Sequence, residues 1–488
     1  KYYNELISKN KNNSKNLWKI VQNLTRSNSK KQIYRHLINE NNVELTDNID
    51  MAEEFNKTFS NIGKKLSHKI IPNRLVAFRG TYSLNSLVLL PTDHQEVKDI
   101  ILNLKNKKSG IDNLKSEVIK HIVEFVTEPI VYIINVCIKT GTWPSAFKNS
   151  VVTPIFKKGN SALSTNYRPI SLITNFCKIF EKIIKIRITS FLNKYKLLSQ
   201  KQYGFKEHTS TQDAIITLTN NVSSALDKGQ PCLCTFIDLT KAFDTVSHPM
   251  LLESLENIGI RGQCHKLLES YLSNRKQCVR VGGECSGWLP VEYGVPQGTV
   301  LGPLLFLIYI NDLFGLLTSG EVIGFADDTA IFHKGNTWDE LKETVESELS
   351  YVKDWFSYKL LTINLEKTSY LPFTCNKSVS PSFNYLKLES QGHTIRILPA
   401  IKTKYLGVFI DCHLRWDIHI NYVIKKLQSI LYTFKYLCRL LSRQYLKMVY
   451  HALIQSHINY AVLSWGSAVS SHIEPLTIIQ KRFLKMML

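Results

Sequence analysis

Apolar residues along this chain alternate between short dense runs and long helical stripes. Ile323-Gly324-Phe325 and Thr329-Ala330-Ile331-Phe332 are two such runs, with Ala326-Asp327-Asp328 between them. That is the pattern of a β-hairpin with acidic residues at its tip. Residues 232–237 form a largely apolar run that reads as a buried strand leading into Asp238. Residues 151–156 and 166–174 read as an outgoing and a returning strand, and so do 278–281 and 288–293. Residues 383–397 read as a hairpin turning at Gln391-Gly392, and 405–411 as one strand. Helical stripes lie between them. Phe55, Phe59, Ile62 and Leu66 recur at spacings of four, three and four. Further helices are predicted over 93–104, over 117–138 with a break or new start at Pro129, and over 176–198. Another runs from the Ser210–Asp213 cap to Leu226, and one from Ser247 and Pro249 to Gly259. Thr337-Trp338-Asp339-Glu340 is a capping-box pattern opening a helix that carries Leu341, Val345, Leu349, Val352 and Phe356. From 416 to 488 the pattern is helical throughout. The fold class is therefore α+β.

At 488 residues the chain exceeds one ordinary core, so several subdomains are expected. Lys+Arg 61 against Asp+Glu 40 gives a net charge of +21, which suits a polyanionic partner as well as a plain basic surface. The N-terminal stretch, rich in Asn, Lys and Ser, reads as a basic lead-in plus one docked helix, with a linker and a nucleic-acid arm equally open. The ten cysteines are scattered and read as reduced, mostly buried thiols of an intracellular protein. Cys232 and Cys234 share a strand face, but no second pair completes a zinc pattern. The apolar run 300–317 contains Gly302, Pro303, Asn311 and Asp312, which makes it a buried helix and not a membrane span. The chain opens at Lys1 without an initiator Met or a signal peptide, as a fragment of a larger polyprotein would.

Four stretches carry candidate chemistry. Adjacent Asp327 and Asp328 repel each other, and a cation would offset their charge. Hard oxygen ligands suit Mg²⁺, although Asp is also an ordinary turn residue. Asp238, at the end of its own apolar strand, supplies a matching carboxylate. Two metal ions held between Asp238 and Asp327 would clamp the attacking and leaving oxygens of a phosphoryl displacement. The 151–174 hairpin carries Lys157, Lys158 and Arg168, cations that suit a triphosphate or simply a solvated tip. Pro296-Gln297-Gly298 exposes backbone at a strand-to-helix turn. Glycine there admits close approach of a base pair, and Gln297 offers both a donor and acceptors.

Together, Asp238 to Asp244, Tyr293 to Phe306 and Ile323 to Phe332 resemble the palm of a reverse transcriptase of the non-LTR (LINE-like) retrotransposon type. Asn166-Tyr167-Arg168-Pro169-Ile170-Ser171-Leu172 is similar to that family's fingers motif, and Lys404-Tyr405-Leu406-Gly407-Val408 to its primer grip. Residues 361–368 resemble its next palm motif, and the ordered motifs run from about Ser109 to about Asp411. The loop around Lys107-Lys108-Ser109-Gly110 resembles the one ahead of the fingers. The resemblance implies a right-hand polymerase with fingers, a palm built on an antiparallel sheet, and a helical thumb. The expected divisions are 1–85 as a basic N-terminal extension, 86–230 as fingers, 231–415 as palm and 416–488 as thumb.

It also implies roles. Asp238 and Asp327, with the Leu239 carbonyl, would hold two Mg²⁺ ions, with Mn²⁺ as a substitute, and Asp328 would be either a further ligand or a carboxylate just behind the ligands. Lys367 would be an acid for pyrophosphate. Lys157, Lys158, Arg168, Phe243, Gln297 and Gly298 would bind the nucleotide, with Phe243 as the steric gate against ribose. Tyr405, Leu406 and Gly407 would brace the primer, and Lys206 and His208 would contact the template. Basic residues of the thumb (Lys425, Lys426, Lys435, Arg439, Arg443, Lys447) would lie along a duplex. The expected function is RNA-directed DNA polymerisation. Partners would be an RNA template, a DNA primer or target and dNTPs, with no membrane, and the expected location is nuclear with cytoplasmic ribonucleoprotein assembly. A group II intron-type reverse transcriptase and a catalytically inactive RNA-binding remnant are the alternatives. The retained carboxylates disfavour the remnant.

Overall fold

The computed structural model describes residues 2–10, 14–24, 36–70, 82–106, 109–375, 381, 383–390 and 393–488. Lys107-Lys108, the Gln391-Gly392 turn and part of the Asn- and Lys-rich N-terminal stretch lie outside the described residues.

A four-stranded antiparallel sheet forms the centre, in the order Ser369–Phe373, Cys232–Ile237, Asp328–Lys334, Glu321–Phe325. Every residue of Cys232–Ile237 is buried. Successive side chains of a strand point to opposite faces, and here each face meets its own core. Leu233 and Ile237 join one cluster with Val322, Ile331 and Tyr370. Cys232, Cys234 and Phe236 join another with Ile323, Ala330, Phe332, Leu371 and Phe373. With both faces covered, little room is left for the polar half of an alternating strand, and Thr235 is the one polar residue in the run.

The first cluster is covered by helices, among them Asn175–Lys194, Gly262–Leu272, Gly302–Ile310 and Trp338–Tyr358. Gly302–Ile310 is apolar all round because it is buried nearly all round. Among the described helices none is long and apolar enough to cross a membrane. The second cluster is covered by Thr211–Asp227 and by the C-terminal helices, where Asp417–Cys438 and Ser470–Met487 meet through Phe434 and Phe483, 5.2 Å apart.

Residues 149–172 and 275–291 build a second sheet. Asn149–Phe156 pairs antiparallel with Tyr167–Leu172 and parallel with Arg275–Val281, which also pairs with Leu289–Val291. The helix Asn48–Ser67 packs beneath it through Met51, Phe55 and Phe59, with the Phe55 ring 4.8 Å from that of Tyr167. Arg275–Val281, well beyond residue 230, thus pairs into the same sheet as Asn149–Phe156.

Three local expectations change. The 117–138 helix breaks at Ile122, while Pro129 sits inside Val123–Thr140. Pro129 is on the solvent side of that helix, where water can satisfy the carbonyl its ring leaves unbonded. The single strand expected over 405–411 is a hairpin, Lys402–Tyr405 with Val408–Asp411. Its two-residue turn, Leu406-Gly407, has φ values of 45° and 92°, as the favoured hairpin turns require. The N-terminal lead-in is no solvated arm where it is described. Helices Tyr2–Lys9 and Ser14–Leu24 bury Ile7, Val21 and Leu24 in the second cluster, beside Leu446 and Val449.

One buried carboxylate joins the helix Asn175–Lys194 to the loop that leads into Gly302–Ile310. Glu181 is fully buried and accepts from the Val300 N–H at 2.5 Å, the Leu301 N–H at 3.2 Å and the Tyr271 hydroxyl at 3.0 Å. Burial raises its carboxyl pKa, and the Arg275 charge and these donors pull it back. Glu181→Ala orphans two buried N–H groups at roughly 1–3 kcal/mol each, so a loss of about 3 kcal/mol is expected. Glu181→Gln keeps an acceptor and is expected to cost distinctly less. Urea unfolding of the two variants checks this, and equal losses would remove the acceptor argument.

Candidate active site

The two inner strands place the carboxylates. Thr329 pairs with Ile237, so one step further along this antiparallel register Asp328 stands opposite Asp238. Asp328 also closes the hairpin against Phe325, leaving Ala326 and Asp327 as its turn. Ala326 takes φ +58°, a left-handed value that a non-glycine residue adopts only under constraint. Beyond Ile237 the chain is held by a bridge between Leu239 and Ile363. The Asn364 N–H donates to the Asp238 carbonyl at 2.8 Å and the Thr240 N–H to the Thr362 carbonyl at 2.9 Å. The Leu239 carbonyl takes no part in that bridge.

Electrostatics bind the three carboxylates into one site. Burial first, and the Asp238 charge after it, raise the Asp327 pKa. Burial, then Asp327, then Asp238 push Asp328 up to about 6. The positive charges of Lys157 and Arg168 act in the opposite direction at both. Lys367 reaches in as well, its ammonium 2.9 Å from Asp238 Oδ2. Among the described residues no three His, Cys, Asp or Glu side chains stand close enough to form a ready-made metal site. The donor chemistry nevertheless fits a hard cation. It offers carboxylate oxygens only, with a lysine ammonium already against one of them.

The fingers hairpin is tied to the palm from below. The Lys241 ammonium donates to the Tyr167 carbonyl at 2.7 Å, one residue before Arg168. The Ser171 N–H donates to the Gln297 carbonyl at 2.7 Å. Gly298 has φ +103°, and a Cβ there would come within 3.0 Å of the Ser171 carbonyl, so glycine is needed for this contact. Arg168, Lys157 and Lys158 are exposed at the free edge of the hairpin. The Gln297 side chain donates to Asp244 Oδ1 at 2.8 Å. Asp244 Oδ2 is buried without a partner, and burial pushes this carboxyl up to about 6 despite the bond from Gln297. Phe243, half-buried, stacks on Phe306 with centroids 4.3 Å apart and meets the edge of Phe205 at 6.0 Å.

Some expected contacts are relocated. Tyr405 is 4% exposed, its ring against Phe236 at 5.4 Å, so its side chain belongs to the core and cannot brace a primer. The Leu406-Gly407 turn is what reaches the surface, and the Tyr460 hydroxyl bonds the Leu406 carbonyl from the C-terminal helices. Lys206 spends its ammonium on the Ser199 carbonyl at 2.9 Å, and burial lowers its pKa; His208 is exposed. Lys425, Lys426, Lys435, Arg439, Arg443 and Lys447 are all exposed. Lys241, Asp244 and Gln202, which contacts the Ala326 backbone, were not singled out from sequence. Their signal was position alone, two of them inside the Asp238 motif.

Comparison with known proteins agrees with this arrangement. The family described as "Reverse transcriptase (RNA-dependent DNA polymerase)" matches residues 155–410, just over half the chain. A relative named "Probable RNA-directed DNA polymerase from transposon BS" of Drosophila melanogaster is 28% identical over 412 residues, 82% of this chain and 45% of its own length. The "RNA-directed DNA polymerase from mobile element jockey" of Drosophila funebris is 28% identical over 410 residues, 81% of this chain and 44% of its own. This chain thus spans less than half the length of these relatives. A solved telomerase from Candida albicans with a fragment of telomeric RNA overlays at TM-score 0.40 and 12% identity, covering 74% of this chain and 68% of that one. That last likeness is too weak to bear on function. The family match over the 155–172 hairpin strands, the carboxylate turn and the Leu406-Gly407 turn makes the chain a member of the reverse transcriptase (RNA-dependent DNA polymerase) family.

Proposed function

We propose that this chain extends a DNA primer on an RNA template, as the polymerase of a non-LTR retrotransposon copying that element's own transcript. The observation that carries this is the meeting of Asp238, Asp327 and Asp328 at one end of the central sheet, within reach of the Lys157 and Arg168 charges. In the reaction the primer O3′ bonds to the α-phosphorus of a dNTP, the bond to the β-phosphate oxygen breaks, and pyrophosphate leaves. Asp238, Asp327 and Asp328, with the Leu239 carbonyl, would hold two divalent cations, Mg²⁺ or in its place Mn²⁺. Such cations, when bound, ease loss of the hydroxyl proton and offset the phosphate charge.

The chain's own residues do the rest. Arg168 offers its guanidinium fork to the triphosphate and Lys157 a point charge, with Lys158 beside it. Lys367 leaves Asp238 to give a proton to pyrophosphate. Gln297 and Gly298 support the nascent base pair, and Phe243 lies under the sugar. The Leu406-Gly407 turn braces the primer end by its backbone. The exposed thumb cations follow the duplex. We assign residues 86–230 chiefly to fingers, 231–415 to palm and 416–488 to thumb. DNA synthesis would occur in the nucleus at the target, after cytoplasmic assembly with the RNA.

Asp327→Asn should abolish primer extension while leaving RNA binding largely intact. It should also stabilise the metal-free protein. A carboxyl whose folded pKa is raised binds its proton more tightly folded than unfolded, so stability falls as pH rises from the ordinary value through the raised one. At neutral pH that cost is fully present, and Asn removes it. The expected result is a higher Tm for Asp327→Asn at pH 7, with the difference shrinking as the pH falls toward about 4 and absent below it. Near-normal extension by this variant would sink the assignment of the carboxylates.

Arg168→Ala should raise the KM for dNTP and leave primer–template affinity almost unchanged. Steady-state kinetics beside a filter-binding titration separates the two. If affinity for the duplex falls and KM does not, Arg168 contacts the template.

Phe243→Val should admit ribonucleotides. A ring packed against C2′ leaves no room for a hydroxyl, and overpacking of that kind costs about 1–3 kcal/mol. That corresponds to roughly 5- to 150-fold in selectivity. The ratio of kcat/KM for dNTP and rNTP measures it, and an unchanged ratio in an active variant would return Phe243 to the core.

A further inference from the structure

The carboxylate turn is gripped by a segment more than a hundred residues away in sequence. Gln202 is 2% exposed. Its Oε1 accepts from the Ala326 N–H at 3.0 Å and from the Gly204 N–H at 2.9 Å, and its Nε2 donates to the Ala326 carbonyl at 3.4 Å. One carboxamide thus reads both the N–H and the C=O of Ala326. The main chain on either side is fixed too. The Gly324 N–H donates to the Lys201 carbonyl at 3.0 Å and the Tyr203 N–H to the Gly324 carbonyl at 2.8 Å, giving a parallel bridge between Gln202 and Gly324. Gly204 lies so close that a Cβ on it would meet the Ala326 nitrogen at 2.3 Å.

This grip falls on the one residue of the turn whose conformation needs help. Ala326 has φ +58°, where an L-residue with a Cβ is strained and glycine is not. Strain of this kind persists only where the surroundings hold it in place. Asp327 follows directly, and Asp328 closes the hairpin one residue later. Relaxation of Ala326 would therefore move both carboxylates relative to Asp238.

We propose that Gln202 is a positioning residue for the polymerase reaction, holding Ala326 in its left-handed conformation so that Asp327 and Asp328 face Asp238. It touches neither nucleotide nor primer and acts through the Ala326 backbone. The inference rests on Asp327 and Asp328 being the reacting carboxylates.

The test combines Gln202→Ala, the near-isosteric Gln202→Glu, Ala326→Gly, and Gln202→Ala with Ala326→Gly. A misplacement of about 1 Å at reacting groups costs on the order of 100-fold, so kcat of Gln202→Ala should fall by between roughly 10- and 100-fold. KM for dNTP and affinity for primer–template should stay near those of the wild type. Ala326→Gly should restore a good part of the lost kcat in the Gln202→Ala background, because glycine takes φ +58° without a partner. With neither metal nor nucleic acid present, hydrogen exchange of the amides at 324–329 should be faster in Gln202→Ala and in Gln202→Glu. If Gln202→Ala does not fold, Gln202→Glu with and without Ala326→Gly takes its place in the same measurements. A wild-type kcat in the Gln202 variants, or an equal loss with and without Ala326→Gly, overturns the proposal. An active Asp327→Asn would instead overturn the carboxylate assignment beneath it.

Discussion

The register between Cys232–Ile237 and Asp328–Lys334 is the constraint on which the rest depends. In a sheet with one wet face, a slip by one residue is penalised by turning apolar side chains into water. That penalty is weak here, because both faces are covered by apolar clusters. Register has to be fixed by other means, and the chain places them at the carboxylate end. The two-residue turn at Ala326-Asp327 sets one strand, the Leu239–Ile363 bridge sets the other, and the Gln202–Gly324 bridge sets the hairpin from outside. Each is a backbone contact, indifferent to which apolar side chain sits where. The site is aligned by main-chain geometry while the two cores supply stability.

Charge is the second organising factor. Three carboxylates are drawn together, and two of them are held above their ordinary pKa. The fold offsets this from the fingers side, where Lys157 and Arg168 act on the same carboxylates. Those cations help only if the fingers hairpin keeps its place. Lys241 on the Tyr167 carbonyl, Gln297 on Ser171, and Glu181 under Val300 and Leu301 all serve that placement. The hairpin cations and the carboxylates thus share one frame, although they come from two sheets.

Much of this was legible in sequence because it is written in contiguous motifs. The hairpin at Asp327-Asp328, the strand into Asp238, the glycine at 298 and the thumb helices follow from local pattern. What was missed depends on distant partners. Nothing near Gln202 shows that its carboxamide meets Ala326, and nothing near Glu181 announces the loop at 300–301. Tyr405 was misplaced because a tyrosine in a surface motif and one in a core look alike until the second cluster is assembled around it. The Leu406-Gly407 turn was missed because a left-handed leucine is rare and the flanking residues suit a strand. Pro129 was over-read, since a proline on the wet side of a helix need not end it.

The docking of the N-terminal helices has a consequence for how the chain is made. Ile7 and Val21 share a core with Val449 and Phe483, so that core joins segments more than 400 residues apart along the chain. At about 5–20 residues per second, those early apolar side chains wait on the order of half a minute or more for their partners. The fingers and central sheet can assemble in that interval, but the second cluster closes only after synthesis has passed the Ser470–Met487 helix. Translation speed and chaperone supply therefore bear on this chain mainly through its second core.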